Sequence, residues 1–161
     1  MIEINISNRQ RKYKVDMVEL RRLAMVFAEA AQRREAGEEW LELEITLLSD
    51  RGIAPINLTY LGHEGPTDVI TQRYDPMPGE PCGVRGELFI NVEQAWGVAA
   101  SEGRSGWSAG HELALYLAHG CDHLSGAEDL TARGRRVMRQ RELRWVAAAR
   151  VQPSLVRTVG R

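Results

Sequence analysis

The chain has 161 residues, of which 43% are hydrophobic and 27% are charged, and its formal net charge is −1. This length fits a single domain with a hydrophobic core, and the balanced net charge indicates no partner by itself. No run of about 18 consecutive apolar residues occurs, so we expect no transmembrane helix.

Hydrophobic periodicity predicts a strand, a helix and a second strand at the start of the chain. Apolar and polar residues alternate at 2–6 and again at 41–47, which is typical of strands with one buried face. Between them, apolar residues recur at helical spacing from Asp16, whose side chain can cap the first turn, to Gly37, a natural helix stop.

The middle of the chain is predicted to hold a short helix and two further strands. The helix covers 50–60 or begins only at Pro55, because proline is tolerated in the first turn of a helix but not in its interior. Strands are predicted at 67–72 and 86–91, and the segment 73–85 between them, rich in proline and glycine, is a predicted loop.

Three helices are predicted in the last part of the chain, at 91–102, 107–124 and 129–150. The apolar side of the third is expected to carry Leu130, Val137, Met138 and Trp145. Because strands come early and helices late, we predict an α+β fold with helices packed on a small mixed sheet. Residues 1–150 are expected to form one domain, and residues 151–161 a frayed basic tail.

The two cysteines, Cys82 and Cys121, form neither a disulfide framework nor a Cys-x-x-Cys pair. This usage fits a reducing compartment. The first residues have neither a basic segment nor an apolar run, so no signal peptide is predicted. We therefore expect a cytoplasmic protein.

The C-terminal region is strongly basic. From Thr131 to Arg161 it holds nine arginines and one acidic residue, Glu142. Clustered arginine indicates a polyanion partner such as nucleic acid. A solvated helix face followed by a basic tail explains the same pattern, and on this feature alone we favour that second interpretation.

The segment HGCDHLSGAED, residues 119–129, carries the clearest chemical signal. His119 and His123 are four residues apart, so on a helix both imidazoles lie on one face and can reach one metal ion. Gly126 can end that helix in a left-handed turn, and Asp129 can then supply a third ligand from the returning chain. Two imidazole nitrogens and one carboxylate, with a fourth position open, is a composition typical of a catalytic zinc site.

A zinc protease is not indicated by this segment. In zinc-protease helices a glutamate follows the first histidine as the general base, and here that position is Gly120. His111 does not restore the motif, because a leucine stands four residues after it. We expect His111 to be a packed or surface residue, and Cys121 to be a small buried one.

Three blocks of the chain resemble the YbeY family of endoribonucleases, which act in ribosomal RNA maturation. They are NLTY followed by GPTDVI within 57–70, GELFI at 86–90, and the histidine segment at 119–129. Their order and spacing also agree with the family, and the similarity extends over residues 1–150. The chain is therefore identified as a divergent member of this family.

This resemblance implies a mixed four-stranded sheet packed with about five helices, and one zinc ion per chain on His119, His123 and Asp129. It also implies cleavage of single-stranded RNA in rRNA maturation and ribosome quality control. The implied partner is RNA, either rRNA or the small ribosomal subunit, with no DNA specificity and no membrane association.

Two departures from the family pattern bear on activity. The third ligand is a histidine in the family and Asp129 here, and a carboxylate makes the bound metal a weaker Lewis acid. Leu61 replaces a family arginine that binds phosphate or stabilises the transition state, which leucine cannot do. Arg73 and Arg85 are candidates to replace it as phosphate-binding residues.

Four further residues are candidates to line the cleft. Thr67 and Asp68 either line it or form a turn at the start of a strand. His63 is expected to be exposed, although a turn beside the cleft could place it for proton transfer. Asp122 is either an acceptor that orients an imidazole or an exposed helix residue, and we favour the exposed position.

The sequence leaves three functions open. The first is a zinc-dependent endoribonuclease, in which either water or the 2′-hydroxyl attacks phosphorus. The second, favoured by Leu61, is a ribosome-binding assembly factor with weakened or lost nuclease activity. The third is a metal-dependent hydrolase of a small substrate.

Overall fold

The computed structural model describes residues 1–35 and 38–160 of the chain. Within these residues the strands are β1 (Glu3–Asn8), β2 (Tyr13–Val15), β3 (Trp40–Leu48), β4 (Val69–Tyr74), β5 (Val84–Asn91) and β6 (Val156–Thr158). Four of them form a mixed sheet in the order β1-β3-β5-β4. Strands β1, β3 and β5 run parallel, and β4 runs antiparallel to β5.

Helices pack on this sheet. They are α1 (Met17–Arg34), α2 (Asp50–Leu61), α3 (Val92–Glu102), α4 (Ala109–Leu124) and α5 (Ala132–Ala149), and these described elements confirm the predicted fold class. Pro55 lies inside α2, which begins at Asp50. The helix stop predicted at Gly37 lies outside the described residues. None of the helices in the described ranges combines the length and the apolar character needed to cross a membrane.

Helix α4, which carries both histidines, is buried along most of its length between β5 and the neighbouring helices. Its close approach to β5 depends on two glycines. A Cβ at Gly120 would lie 2.8 Å from Leu88 Cδ2, and one at Gly86 would lie 2.5 Å from Leu124 Cδ1. Both leucines are fully buried and have no free space to move into, so larger residues would push α4 off the sheet.

Polar side chains set the starts of the last two helices. Ser108 accepts a hydrogen bond from the backbone N–H of His111, and Thr131 accepts one from Gly134. Helix α4 therefore begins at Ala109 and α5 at Ala132, slightly later than predicted. Residues 125–131 form the connection between these helices.

The apolar side of α5 differs from the prediction. Leu130 and Val137 are 80% and 45% exposed, whereas Met138 is buried and Trp145 is partly buried. Leu130 precedes the capping residue and so lies outside the helix, and Val137 faces away from the core. The prediction was wrong for Leu130 because the first helical residue was placed too early, and for Val137 because the adjacent Met138 takes the core-facing position.

The C-terminal segment is packed, which corrects the prediction of a frayed tail from residue 151. A short 3₁₀ helix (Pro153–Leu155) is followed by β6, which pairs antiparallel with β2. Val151, Leu155 and Val156 are at most 7% exposed. This pairing leaves no signal in the sequence, because two three-residue strands are too short to show a period of two.

Candidate metal centre

Helix α4 and the connection after it bring three side chains together. His119 and His123 lie one turn apart on α4, and Gly126 adopts a left-handed conformation (φ 88°) that turns the chain back. Asp129 then lies with its Oδ2 3.5 Å from Nε2 of His123 and 4.0 Å from Nε2 of His119. The sequence placed these residues in one site, and the structure brings them within 4.8 Å of one another in a group that could hold a metal ion.

Hydrogen bonds on the far side of each imidazole fix which nitrogen faces the centre. Nδ1 of His123 lies 3.0 Å from the carbonyl oxygen of Ala127, which can only accept, so Nδ1 carries the proton. Nδ1 of His119 lies 2.6 Å from Oε1 of Glu142 and donates to that carboxylate. In neutral imidazoles both Nε2 atoms are then lone-pair acceptors, yet they lie only 3.0 Å apart.

Two facing lone pairs at this distance repel each other unless a proton or a metal cation lies between them. Ligands about 2.0–2.1 Å from a tetrahedral zinc ion are about 3.3 Å apart. The three observed separations of 3.0, 3.5 and 4.0 Å lie around this value. The donor set and its spacing therefore fit a zinc-like ion without rearrangement of α4.

Glu142 on α5 completes the support of His119, and the sequence did not identify this role. Its side chain is 1% exposed, and its Oε2 has no hydrogen-bond partner among the described residues. A carboxylate bonded to the outer nitrogen of a ligating histidine fixes the orientation of the ring and raises its basicity. The only signal available was that Glu142 is the single acid in an arginine-rich region.

The surroundings of His119 favour positive charge. Burial by itself lowers the pKa of the His119 imidazolium, but the hydrogen bond and charge of Glu142 act in the opposite direction. With the carboxylates of Asp68 and Asp129 added, the net effect raises the pKa above its ordinary value. The same negative field attracts a metal cation.

Two clefts share this centre. One, of about 570 Å³, lies on the α5 side, and the other, of about 650 Å³, lies on the β4 side. Asp68, His119 and Asp129 line both of them. The three grouped side chains are 22–39% exposed, so ligands reach them from solvent.

The two arginines predicted to bind phosphate lie in different places. Arg73 lines the β4-side cleft, where its guanidinium donates to the carbonyl oxygen of Leu124 and pairs with Glu35. Arg85 does not reach either cleft. Side chains alternate along β5, and because Gly86 faces α4, Arg85 faces the other side of the sheet. There it lies 3.4 Å from a carboxylate oxygen of Glu80.

The structure separates the remaining candidates. Asp68 lines both clefts, and His63 and Leu61 are exposed and line the β4-side cleft. Thr67 is absent from the described lining of either cleft. Its hydroxyl bonds to Asp68, and its carbonyl oxygen accepts a hydrogen bond from Asn91. Thr67 therefore lies in the turn at the start of β4, which is the second of the two alternatives.

Asp122 is neither a cleft residue nor an exposed one, which corrects both alternatives. Its side chain is 0% exposed, and it accepts two hydrogen bonds, of 2.9 and 3.1 Å, from Nε of Arg141 on α5. Nε of Arg34 on α1 lies 3.4 Å away. Asp122 thus joins α4 to α5 and α1, beside the contact between His119 and Glu142.

Comparisons with known proteins agree with this architecture. The sequence profile of the family described as Endoribonuclease YbeY matches residues 5–150. Endoribonuclease YbeY of Moorella thermoacetica is 34% identical over 150 residues, covering 88% of this chain and 93% of the relative. The Syntrophomonas wolfei protein of the same name is 30% identical, covering 89% and 94%.

A solved structure shows the same fold. The solution structure of TM1509 from Thermotoga maritima superposes with a TM-score of 0.59 at 20% identity, covering 92% of this chain and 89% of that one. The profile match and the full-length relatives, together with the three convergent side chains on α4 and its return loop, establish that this chain belongs to the endoribonuclease YbeY family.

Proposed function

We propose that this chain is a zinc-dependent endoribonuclease that cuts single-stranded RNA during rRNA maturation and ribosome quality control in the cytoplasm. The observation that carries the proposal is the convergence of two imidazole Nε2 atoms and one carboxylate where two clefts meet. The family name supports cleavage of RNA, and rRNA or the small ribosomal subunit is the substrate we propose.

The shape of the site suits cleavage within a strand. An endonuclease must accommodate the chain on both sides of the bond that it cuts. Here one cleft extends from the centre toward α5 and the other toward β4, and both share His119 and Asp129. A single strand lying along both clefts would place an internal phosphodiester at the centre.

His119, His123 and Asp129 would hold the metal, and the neighbouring groups would keep them in place. A zinc ion in such a site supplies a Lewis acid that favours ionisation of water near neutral pH and polarises a phosphoryl oxygen. Glu142 and the carbonyl oxygen of Ala127 retain the protons on Nδ1, so both Nε2 atoms stay available as ligands. The attacking group is either water or the 2′-hydroxyl of the RNA.

Metal analysis and RNA cleavage on the wild-type chain test this proposal together. Purified protein should contain close to one zinc ion per chain, and it should cut a labelled single-stranded RNA. A chelator should stop the cleavage, and added zinc should restore it. Protein that takes up no zinc, or cleavage that persists after chelation, would contradict the proposed function.

Leu61 favours a second candidate, a ribosome-binding assembly factor without cleavage. This leucine is 48% exposed and lines the β4-side cleft, so an apolar group stands where an arginine would meet phosphate. Co-sedimentation with ribosomal subunits separates the candidates. Binding to subunits with no cleavage of any single-stranded RNA, despite bound zinc, would support the assembly factor.

Glu142→Gln is expected to weaken zinc binding by about 10- to 100-fold, which is the usual cost of losing an outer carboxylate partner. Glutamine keeps the shape of the Glu142 side chain and can still accept a hydrogen bond from Nδ1 of His119. The loss of zinc affinity therefore measures the contribution of the carboxylate charge. Competition with a chromophoric chelator measures the affinity. Glu128→Gln is the matched control, because it removes an equally charged but exposed carboxylate next to Asp129. Equal affinities in the two variants would exclude this role for Glu142.

A further inference from the structure

Three arginines of α5 line one of the two clefts that meet at the candidate metal centre. Arg135, Arg136 and Arg139 border the α5-side cleft together with His119 and Asp129. Their spacing of one, three and four residues places them on one side of the helix. The same side of α5 carries Glu142, so the arginines extend outward in a row from the group that supports His119.

These guanidinium groups remain available to a ligand. Within the described ranges, the arginines that form ion pairs are Arg22, Arg34, Arg73, Arg85 and Arg141. Arg135 donates to the carbonyl oxygen of Asp129, which leaves most of its donors free. All three cleft arginines are exposed, whereas Arg141 on the same helix is taken up by Asp122.

We infer that Arg136 and Arg139, with Arg135 beside them, form the surface that binds the phosphates of single-stranded RNA next to the metal centre. Charge complementarity supports this ligand, since guanidinium groups bind phosphate oxygens through paired, charge-assisted hydrogen bonds. The surface also supplies, from α5, the positive charge that Leu61 does not supply on the opposite side. The inference rests on the proposed function, because that function makes RNA the ligand.

Binding of an uncleavable RNA tests the inference. The probe is a fluorescent 2′-O-methyl RNA of about twelve nucleotides, a length within the usual range for single-strand sites, measured by anisotropy in the presence of chelator. Arg136→Gln/Arg139→Gln should bind about 10- to 100-fold more weakly at low salt. The slope of log affinity against log salt should fall by about 1.4, because each phosphate contact on a single strand contributes about 0.7.

A matched pair on the same helix controls for net charge. Arg133→Gln/Arg144→Gln removes two equally exposed arginines that lie about 110–130° around α5 from the centre of the cleft row. This control should keep the wild-type slope and bind within about threefold of wild type. Equal losses in both pairs would overturn the inference, because general attraction to a basic helix would then explain the binding.

Failure of this inference is distinguishable from failure of the proposed function. The binding assay needs neither metal nor cleavage. A loss of RNA affinity in Arg136→Gln/Arg139→Gln that the control variant does not show therefore supports the inference even if the chain never cuts RNA. If the wild-type chain cuts RNA with zinc but the two double variants bind the probe equally well, the inference is overturned and the proposed function stands. Equal binding of duplex DNA with the same dependence on Arg136 and Arg139 would also overturn it, since the surface would then accept any polyanion.

Discussion

His123→Ala is expected to weaken zinc binding far more than the 10- to 100-fold expected for loss of an outer partner. It removes one of the three converging ligand atoms, and the two that remain, on His119 and Asp129, are 4.0 Å apart. RNA cleavage should fall to the level seen with chelator. The fold should persist, because the His123 side chain is 27% exposed and α4 is anchored by its buried residues.

Two comparison variants make this result specific to the ligand set. His63→Ala removes an exposed histidine that lines the β4-side cleft but lies outside the ligand group, so zinc affinity should not change. Asp129→Asn keeps the shape and a carbonyl oxygen but removes the charge, so its affinity should lie between those of wild type and His123→Ala. Retention of one zinc ion per chain in His123→Ala would show that the metal lies elsewhere.

The features that the sequence predicted are those encoded within a few residues of one another. The spacing of His119 and His123, the turn at Gly126 and the return to Asp129 all follow from local helix geometry, and the structure has this arrangement. The four strands of the main sheet were also predicted, β1 and β3 from the alternation of apolar and polar residues.

The features that the sequence missed depend on contacts between distant parts of the chain. Glu142 reaches His119 across 23 positions, and Arg141 reaches Asp122 across 19, so no local pattern marks either pair. Arg85 was misplaced because it was assigned to the predicted loop at 73–85, whereas it lies in β5 and faces the side opposite Gly86. The arginines at the cleft were visible as a cluster, but only the packing of α5 against α4 shows that some of them line a cleft with His119 and Asp129.

Arg141→Met is expected to lower the free energy of unfolding by about 2–4 kcal/mol. The fully buried carboxylate of Asp122 would keep only Arg34, at 3.4 Å, as a charged partner, and an underpaired buried charge is strongly destabilising. Asp122→Asn should cost less, because the arginines it releases are 18% and 32% exposed and can turn toward water. For a chain of this size, the Arg141→Met loss corresponds to a melting temperature lowered by about 5–15 °C.

Denaturant unfolding of these variants beside Arg144→Met, an exposed arginine on the same helix, measures the effect. Arg144→Met should stay within about 0.5 kcal/mol of wild type, and a similar value for Arg141→Met would show that Asp122 needs no partner. Because Glu142 follows Arg141 directly, a loosened contact between α4 and α5 should also weaken the hydrogen bond from His119 to Glu142. Folded Arg141→Met should then bind zinc less tightly than folded Arg144→Met, which would connect the Arg141–Asp122 ion pair to the neighbouring His119–Glu142 contact.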